Sequence, residues 1–546
     1  MKTLDDWLAH LESLHPKGQA GIELGLDRVA LVKETLGQVQ VCPVIIVGGT
    51  NGKGSTCAYL ENIIDHAGYR VGCYTSPHLL AYNERVRVNG QSASDEALCV
   101  AFARVEAARL RSGDVPLTYF EFGTLAAWEV FAAAEVEAVI LEVGLGGRLD
   151  AVNAYEPDIS IVTGVALDHT DWLGPDRESI GFEKAGIYRT GKPAFCADPN
   201  PPQSLLDHAA RISADLRLIG RDFGFERAQG EGNENRLQWR WWCRSGESLV
   251  KRSLAYPGLR GPVQLYNASV TLAALDALTD QLPVTMQAIR PGLIETELAG
   301  RFQVVPGKPA IVLDVGHNPQ AVKVLADNLS TMGFFDRTYA VLGMLNDKDI
   351  AGALLPLKGK VDYWHVATLP GIRGTSAETV AEIISRCELG GKIVCHASPA
   401  QAMQAAKGLA AESDRILVFG SFLTVAGALE ALRKNTNSWK KTTFSCNSRN
   451  GLDAVWSVRL PLFRWLLLSC RWSWITSHVR WFRMLKSVFL ARTKSRLRLN
   501  FRPRPSRNRS TSLPTQLRPN RRLKLPNPGS WRSQRLGLWR RSKKSL

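Results

Sequence analysis

The sequence predicts an α/β protein: an N-terminal P-loop-type parallel-sheet domain, a smaller Rossmann-like α/β domain, and a basic tail. Three observations carry this. Short β-branched runs alternate with helical periodicity through most of the first 434 residues, the pattern of parallel strands joined by helices. The first such run, VIIV at 44–47, opens into GGTNGKGST, a glycine-rich corner able to start a helix around phosphate. The charge is also divided. Residues 1–434 carry 41 basic and 50 acidic side chains, whereas residues 435–546 carry 27 basic and one acidic, Asp453. The formal charge of +17 belongs to the last fifth, so it gives no ground for a polyanion partner of the body.

Taken in order, MKTLDDWLAHLESLHP reads as an amphipathic helix bearing acids, not a leader peptide. A strand over 44–47 leads to a helix over about 54–67 and a strand over 71–74. Helices over about 95–111 and 122–134 precede strands over 138–143 and 159–162. Residues 215–260, rich in Trp, Arg and Gly, read as a peripheral β-rich insertion. A second series has strands over 311–315, 339–342, 361–366, 392–395 and 416–419, each followed by a helical stretch. The domains are expected at 1–297 and 298–434, with a ligand cleft between them. The ten cysteines form no C-x-x-C pair, which predicts reduced thiols in the cytoplasm rather than a disulfide or zinc framework. No apolar run is long enough to span a membrane; LPLFRWLLLSC is broken by Arg464.

Chemistry gathers at the ends of the first strands. The P-loop pattern fits at Gly52-Lys53, but Val47 replaces its first glycine and Gly54 stands where the metal-binding hydroxyl belongs. A plain turn would explain any one glycine. It would not explain Lys53 at a helix start, where its charge opposes the macrodipole unless an anion is bound. In YTSPHL, Ser76 either caps a turn or supplies the missing hydroxyl. In VILEVGLGGRLDAVN, Glu142 sits within a buried strand, which calls for a metal or base beside it. VALDHTDWLG repeats the pattern with Asp168 and His169. A serine, a glutamate and a histidine at neighbouring strand ends would suit Mg²⁺ or Mn²⁺ beside phosphate.

GTNGKGST, YTSPHL, RVRVNG, LTYFEFGT, LEVGLGGRLDA, LDHTDWLG, EKAGI, DVGHNP and GSFLTV occur in that order. Together they resemble the folylpolyglutamate synthase family of the ATP-dependent Mur ligase superfamily, and within it the bacterial bifunctional enzymes that also make dihydrofolate. The resemblance spans residues 3–433. It implies an N-terminal ATPase domain with Thr50, Asn51, Gly52 and Lys53 on the ATP phosphates. It also implies Ser76, Glu142 and His169 as Mg²⁺ ligands, two ions in all, and Lys184 as a carboxylated lysine. Asn267, Arg301 and Asp314 match nucleotide contacts, and His317 a position near nucleotide or incoming glutamate. Thr118, Tyr119, Phe120, Glu121, Leu149, Asp150 and Ala151 match positions lining the pterin site. The implied activity is ATP-dependent joining of L-glutamate to dihydropteroate and to reduced folates, by a monomer. A monofunctional folylpolyglutamate synthase and a Mur-type peptidoglycan ligase are the enzyme alternatives.

The resemblance ends where the composition changes. Residues 435–546 hold eight tryptophans among Arg, Ser, Leu and Pro with no periodicity able to bury them. This tail is expected to be disordered and to derive from a shifted reading frame. The alternative is a nucleic-acid-binding arm, since basic residues interleaved with aromatics can bind single strands.

Overall fold

The computed structural model describes residues 2–15, 23–227, 238–246 and 248–442; the tail beyond Thr442 lies outside the described residues. Eight strands form the first sheet: β1 (Val44–Gly48), β2 (Val71–Tyr74), β3 (Val86–Val88), β4 (Gln91–Ser92), β5 (Ala138–Glu142), β6 (Ile159–Val162), β7 (Pro193–Cys196) and β8 (Asp215–Leu218). Their order is β4-β3-β2-β5-β1-β6-β7-β8, parallel except at the β3 and β4 edge. β1 lies between β5 and β6 and is buried throughout. Val44 and Ile46 enter the core on one face, against helices Asp95–Arg111 and Tyr119–Ala133. Ile45 and Val47 enter the core on the other, against Lys53–His66 and Val263–Ala277. A strand covered on both faces needs no polar alternation, which is why VIIV is wholly apolar. The sheet grows to both sides of β1, so the turn after it opens into a crevice.

The 215–260 segment is β-rich, as expected, but its inner face joins the core rather than lying at the periphery. Asp215–Leu218 extends the main sheet as β8, and β9 (Phe223–Arg227), β10 (Gln238–Ser245) and β11 (Ser248–Ala255) form an antiparallel sheet of their own. In β10, Trp239, Trp241 and Cys243 point inward while Arg240 and Arg244 are exposed, a period of two. The Trp241 indole N–H donates to the Ser269 carbonyl at 3.1 Å, tying the small sheet to helix Val263–Ala277. These tryptophans belong to the core.

The third sheet comprises β12 (Gln303–Val305), β13 (Ala310–Leu313), β14 (Thr338–Leu342), β15 (Tyr363–Ala367), β16 (Lys392–His396) and β17 (Arg415–Phe419). Its order is β12-β13-β17-β14-β15-β16, with only β12 antiparallel, and both large sheets belong to one compact unit. Helix Phe422–Thr442 continues past Lys434, where periodicity was expected to stop. The sequence NTNSWKKT holds neither glycine nor proline, so nothing local breaks the helical ladder. Among the described residues no helix is long and apolar enough to cross a membrane.

Candidate active site

The glycine-rich corner folds as the sequence requires. Gly49 has φ +133° and Gly52 φ +93°; a Cβ on Gly52 would lie 2.6 Å from Asn267 Oδ1. Lys53 begins the helix and donates to the Gly49 and Thr50 carbonyls at 3.1 and 3.3 Å. The loop is tied to the segment after β6. The Thr163 hydroxyl donates to the Asn51 carbonyl at 2.7 Å, and the Ala166 N–H to Thr50 Oγ1 at 3.0 Å.

The loop faces a cavity of about 420 Å³ whose lining includes Ser76, Glu142, His169, Lys184, Asn267, Arg301, Asp314 and His317. Residues as far apart in sequence as Ser76 and His317 thus meet at one place. Ser76 follows β2, and its backbone N–H donates to Glu142 Oε2 at 3.2 Å. Burial pushes the Glu142 carboxyl up, against the pull of Lys53 and Arg301. Burial and then the Lys53 charge bring the Lys184 amine down to about 7. Arg301 is lowered by burial, lies over the Phe422 ring at 5.1 Å, and sits beside Asp314, itself raised by burial. Asn267 is braced by Gln264 at 3.0 Å.

His169 departs from the expectation that it ends a strand. β6 stops at Val162, and His169 instead caps the short helix Thr170–Leu173 in a left-handed conformation, φ 53°. Residues between them are spent on bracing the phosphate loop. Burial lowers the His169 imidazole to about 4, so it is neutral at pH 7. Asp168 beside it is met by groups from the third-sheet side: Lys348 Nζ at 2.7 Å, Asn318 Nδ2 at 3.2 Å and His317 Nε2 at 3.6 Å. Burial alone would raise this carboxyl, yet His317, Lys348 and His169 hold it well below the usual range. Asn318 also exchanges hydrogen bonds with Asn51 at 3.0 and 3.2 Å, and Gln320 accepts from Asn51 at 2.6 Å. Lys348, Asn318 and Gln320 were not singled out from sequence. Their signal was position: each follows the carboxyl end of a parallel strand.

The seven candidate pterin residues lie together but not in the lining of that cavity. Thr118 and Glu121 form the capping box of helix Tyr119–Ala133, and Glu121 also pairs with Arg28 at 3.0 Å. The Phe120 ring would meet a Cβ on Gly144 at 2.8 Å and stands 5.7 Å from the Tyr74 ring. Asp150 accepts from the Leu145 N–H at 2.8 Å and the Val152 N–H at 3.1 Å; burial raises its carboxyl to about 7. The Leu149 carbonyl accepts from Gly25, Ala151 is buried, and Tyr119 lies 5.8 Å from Tyr82. Thr118, Glu121 and Asp150 therefore have structural partners as well.

Two hard oxygen donors, Ser76 and Glu142, with a neutral imidazole, His169, fit a divalent cation such as Mg²⁺ or Mn²⁺. A glycine loop, a buried carboxylate and lysine, and a second parallel sheet across the cleft define an ATP-dependent ligase of the Mur type. Residues 300–422 match the Mur ligase glutamate ligase domain family. The chain is 45% identical over 430 residues to the dihydrofolate synthase/folylpolyglutamate synthase of Escherichia coli, covering 79% of this chain and 95% of that protein. The Haemophilus influenzae protein of the same name is 39% identical over 442 residues, covering 78% and 96%. The solved structure of E. coli FolC in complex with DHPP and ADP matches with TM-score 0.72 at 44% identity, covering 80% of this chain and 99% of that one. A bifunctional folylpolyglutamate synthase/dihydrofolate synthase with Mn, AMPPNP and L-glutamate bound matches with TM-score 0.70 at 44% identity, covering 79% and 98%. The chain belongs to the dihydrofolate synthase/folylpolyglutamate synthase family and is an ATP-dependent ligase.

Proposed function

We propose that the cleft joins L-glutamate first to dihydropteroate, giving dihydrofolate, and then to reduced folates, lengthening their glutamyl tails. The observation that carries this is the convergence of Lys53, Glu142, His169, Lys184, Arg301 and Asp314 on one cavity between two parallel sheets. A carboxylate is a poor acyl donor in water. Its oxygen attacks the γ-phosphorus of ATP, ADP leaves, and an acyl phosphate forms. The glutamate amine then attacks the carbonyl carbon, losing a proton as inorganic phosphate departs.

Each residue has a task in this scheme. Backbone N–H groups of Thr50, Asn51 and Gly52, with the Lys53 ammonium, take charge on the phosphoryl oxygens. Asn267, Arg301 and Asp314 hold the nucleotide, and His317 faces it or the incoming glutamate. Ser76, Glu142 and His169 would hold a first Mg²⁺, and a carboxylated Lys184 would supply an anion for a second. The metal, when bound, neutralises charge on the transferring phosphoryl group. Thr118–Glu121 and Leu149–Ala151 shape the pterin end, with the Tyr119 and Phe120 rings as its apolar wall. Closure of the cleft keeps water from the acyl phosphate. The working domains are 1–297 and 298–434. The eight described cysteines are free thiols, which supports a cytoplasmic protein.

The test is phosphate release by the purified chain with ATP, L-glutamate and either dihydropteroate, a reduced folate or a UDP-muramoyl substrate. Turnover with the first two and none with the third is the expected outcome. Turnover with the UDP-muramoyl substrate alone sinks the proposal.

A further inference from the structure

We infer that Arg87 is a positioning residue: gripped by Glu61 of the helix that starts at Lys53, it holds Thr75 and so sets where Ser76 stands relative to the phosphate loop. This rests on the reading of Ser76 as a metal ligand.

Ser76 stands in the turn that leaves β2, and a turn fixes a hydroxyl only where its surroundings brace it. Here the brace acts on both sides. Before Ser76, the Thr75 N–H donates to the Arg85 carbonyl at 2.9 Å, and Thr75 Oγ1 accepts from Arg87 Nη1 at 2.9 Å. After it, the Glu84 carboxylate accepts from the N–H groups of Leu79, Leu80 and Ala81 at 2.6, 2.9 and 2.9 Å. Arg87 Nη1 also donates to the Glu84 carbonyl at 2.9 Å. One guanidinium therefore reaches both halves of the brace.

The same guanidinium is anchored to the helix of the phosphate loop. Its Nε and Nη2 donate to Glu61 Oε2 at 3.0 and 2.7 Å, and Nη2 also donates to Cys73 Sγ at 3.3 Å. Glu61 lies about two turns on from Lys53 in helix Lys53–His66, and its other oxygen accepts from the Gly90 N–H at 3.2 Å. The Arg87 and Glu61 side chains are 16% and 7% exposed, so their attraction is little screened by salt. A planar fork of five N–H groups can meet Glu61, Thr75, Glu84 and Cys73 at once, which the single point of a lysine ammonium cannot. Every contact in this brace lies between Glu61 and Gly90, within the first sheet and its helix. Lys53 and Ser76 serve the same phosphate and its cation, and the brace they share holds the spacing between them.

The test uses the full chain and reads Mn²⁺ affinity by electron paramagnetic resonance with AMPPNP and no turnover, beside kcat, KM and melting temperature. Thr75→Val removes one acceptor and leaves the Glu61–Arg87 pair in place. It is expected to weaken Mn²⁺ about tenfold and to lower kcat about tenfold, with KM for ATP at saturating Mg²⁺ within about threefold. Its melting temperature should stay within about 3 °C of the parent. Thr75→Ser keeps the hydroxyl and is expected to recover both losses. Arg87→Lys keeps the charge but not the fork, and well below its melting temperature it is expected to lose at least as much as Thr75→Val. Parental Mn²⁺ affinity and kcat in Thr75→Val overturn the inference whatever the melting temperature, as they do in folded Arg87→Lys. Losses that persist in Thr75→Ser overturn it too, since they would not follow the hydrogen bond. Ser76→Ala separates this inference from the functional reading beneath it, and is expected to weaken Mn²⁺ at least as much as Thr75→Val. If it does while Thr75→Val binds normally, only the brace fails; if Ser76→Ala itself binds normally, the ligand reading fails and the inference with it.

Discussion

The nucleotide side of the cleft and the cluster of Thr118–Glu121 with Leu149–Ala151 differ in how their buried polar groups are partnered, although burial raises the Asp150 carboxyl of the second to about 7 as it raises Glu142 and Asp314 of the first. On the first, burial pushes the Glu142 and Asp314 carboxyls up and the Lys184 and Arg301 groups down. These groups are kept near one another at a cost that a charged ligand offsets. On the second, Thr118 and Glu121 cap each other, Glu121 pairs with Arg28, and Asp150 gathers backbone N–H groups. Polar side chains there already stabilise the fold, and the proposed pterin site would draw on the aromatic surface of Tyr119 and Phe120. One region is built around charge and the other around shape.

The largest effect should come from the charged side. Lys53→Ala or Glu142→Ala is expected to reduce kcat/KM at least about 1000-fold, roughly 4 kcal/mol, with little change in melting temperature. Near-normal turnover at saturating ATP and Mg²⁺ would erase the contrast.

Lys184 comes next. Its amine, brought to about 7, is faced by Lys53 and by Asp168, Asp150 and Glu183. Carboxylation takes the neutral amine and CO₂ to a carbamate and a proton, so lowering the pKa raises the reactive fraction. Since that fraction grows as pH rises through 7, ¹³CO₂ loading seen by NMR should increase between about pH 6 and 8. Loading that is flat with pH breaks this prediction. Lys184→Ala should lose about 100-fold in kcat and regain part of it with added formate or acetate. Full activity without rescue removes the role.

The shape side should respond differently. Glu121→Ala is expected to destabilise the protein by about 2 kcal/mol through loss of the capping box and the Arg28 pair. Phe120→Ala should instead raise KM for dihydropteroate about tenfold and leave KM for ATP alone. An equal rise in both constants would mean that the two regions are not separate. The smallest effect concerns the tail. A match of 430 residues already accounts for 95% of the E. coli relative, so a chain ending at Thr442 should keep kcat within about twofold. A larger loss, or salt-dependent nucleic-acid binding seen only in the full chain, assigns the tail a role.

Legibility followed the same division. β1, β2 and β6 were evident as apolar runs, and helix Asp95–Arg111 as periodicity, because burial writes directly on composition. β7 and β8 were not, since PAFC and DLRL are short and carry a proline or charges at their exposed ends. The tryptophans of β10 looked peripheral because the helix that covers them comes later in the chain. Lys53 and Glu142 could be found from chemistry alone: a cation at a helix start and an acid in an apolar strand. The roles proposed for Lys184 and for the candidate pterin residues rest on the family resemblance alone, because a lysine late in a helix and a capping glutamate are common anywhere. Lys348 was invisible for a third reason. Its partner Asp168 is brought to it only by the meeting of the two large sheets.

The central place of β1 also governs how the protein can be made. Val44 pairs with Val139 and Ile45 with Ile159, so neither neighbour of the first strand has been synthesised when that strand leaves the ribosome. At typical elongation rates the wait is on the order of ten seconds. During that time a wholly apolar strand has both edges unpaired, a template for wrong association. The nascent chain therefore carries an unpaired apolar segment until Val162 has emerged.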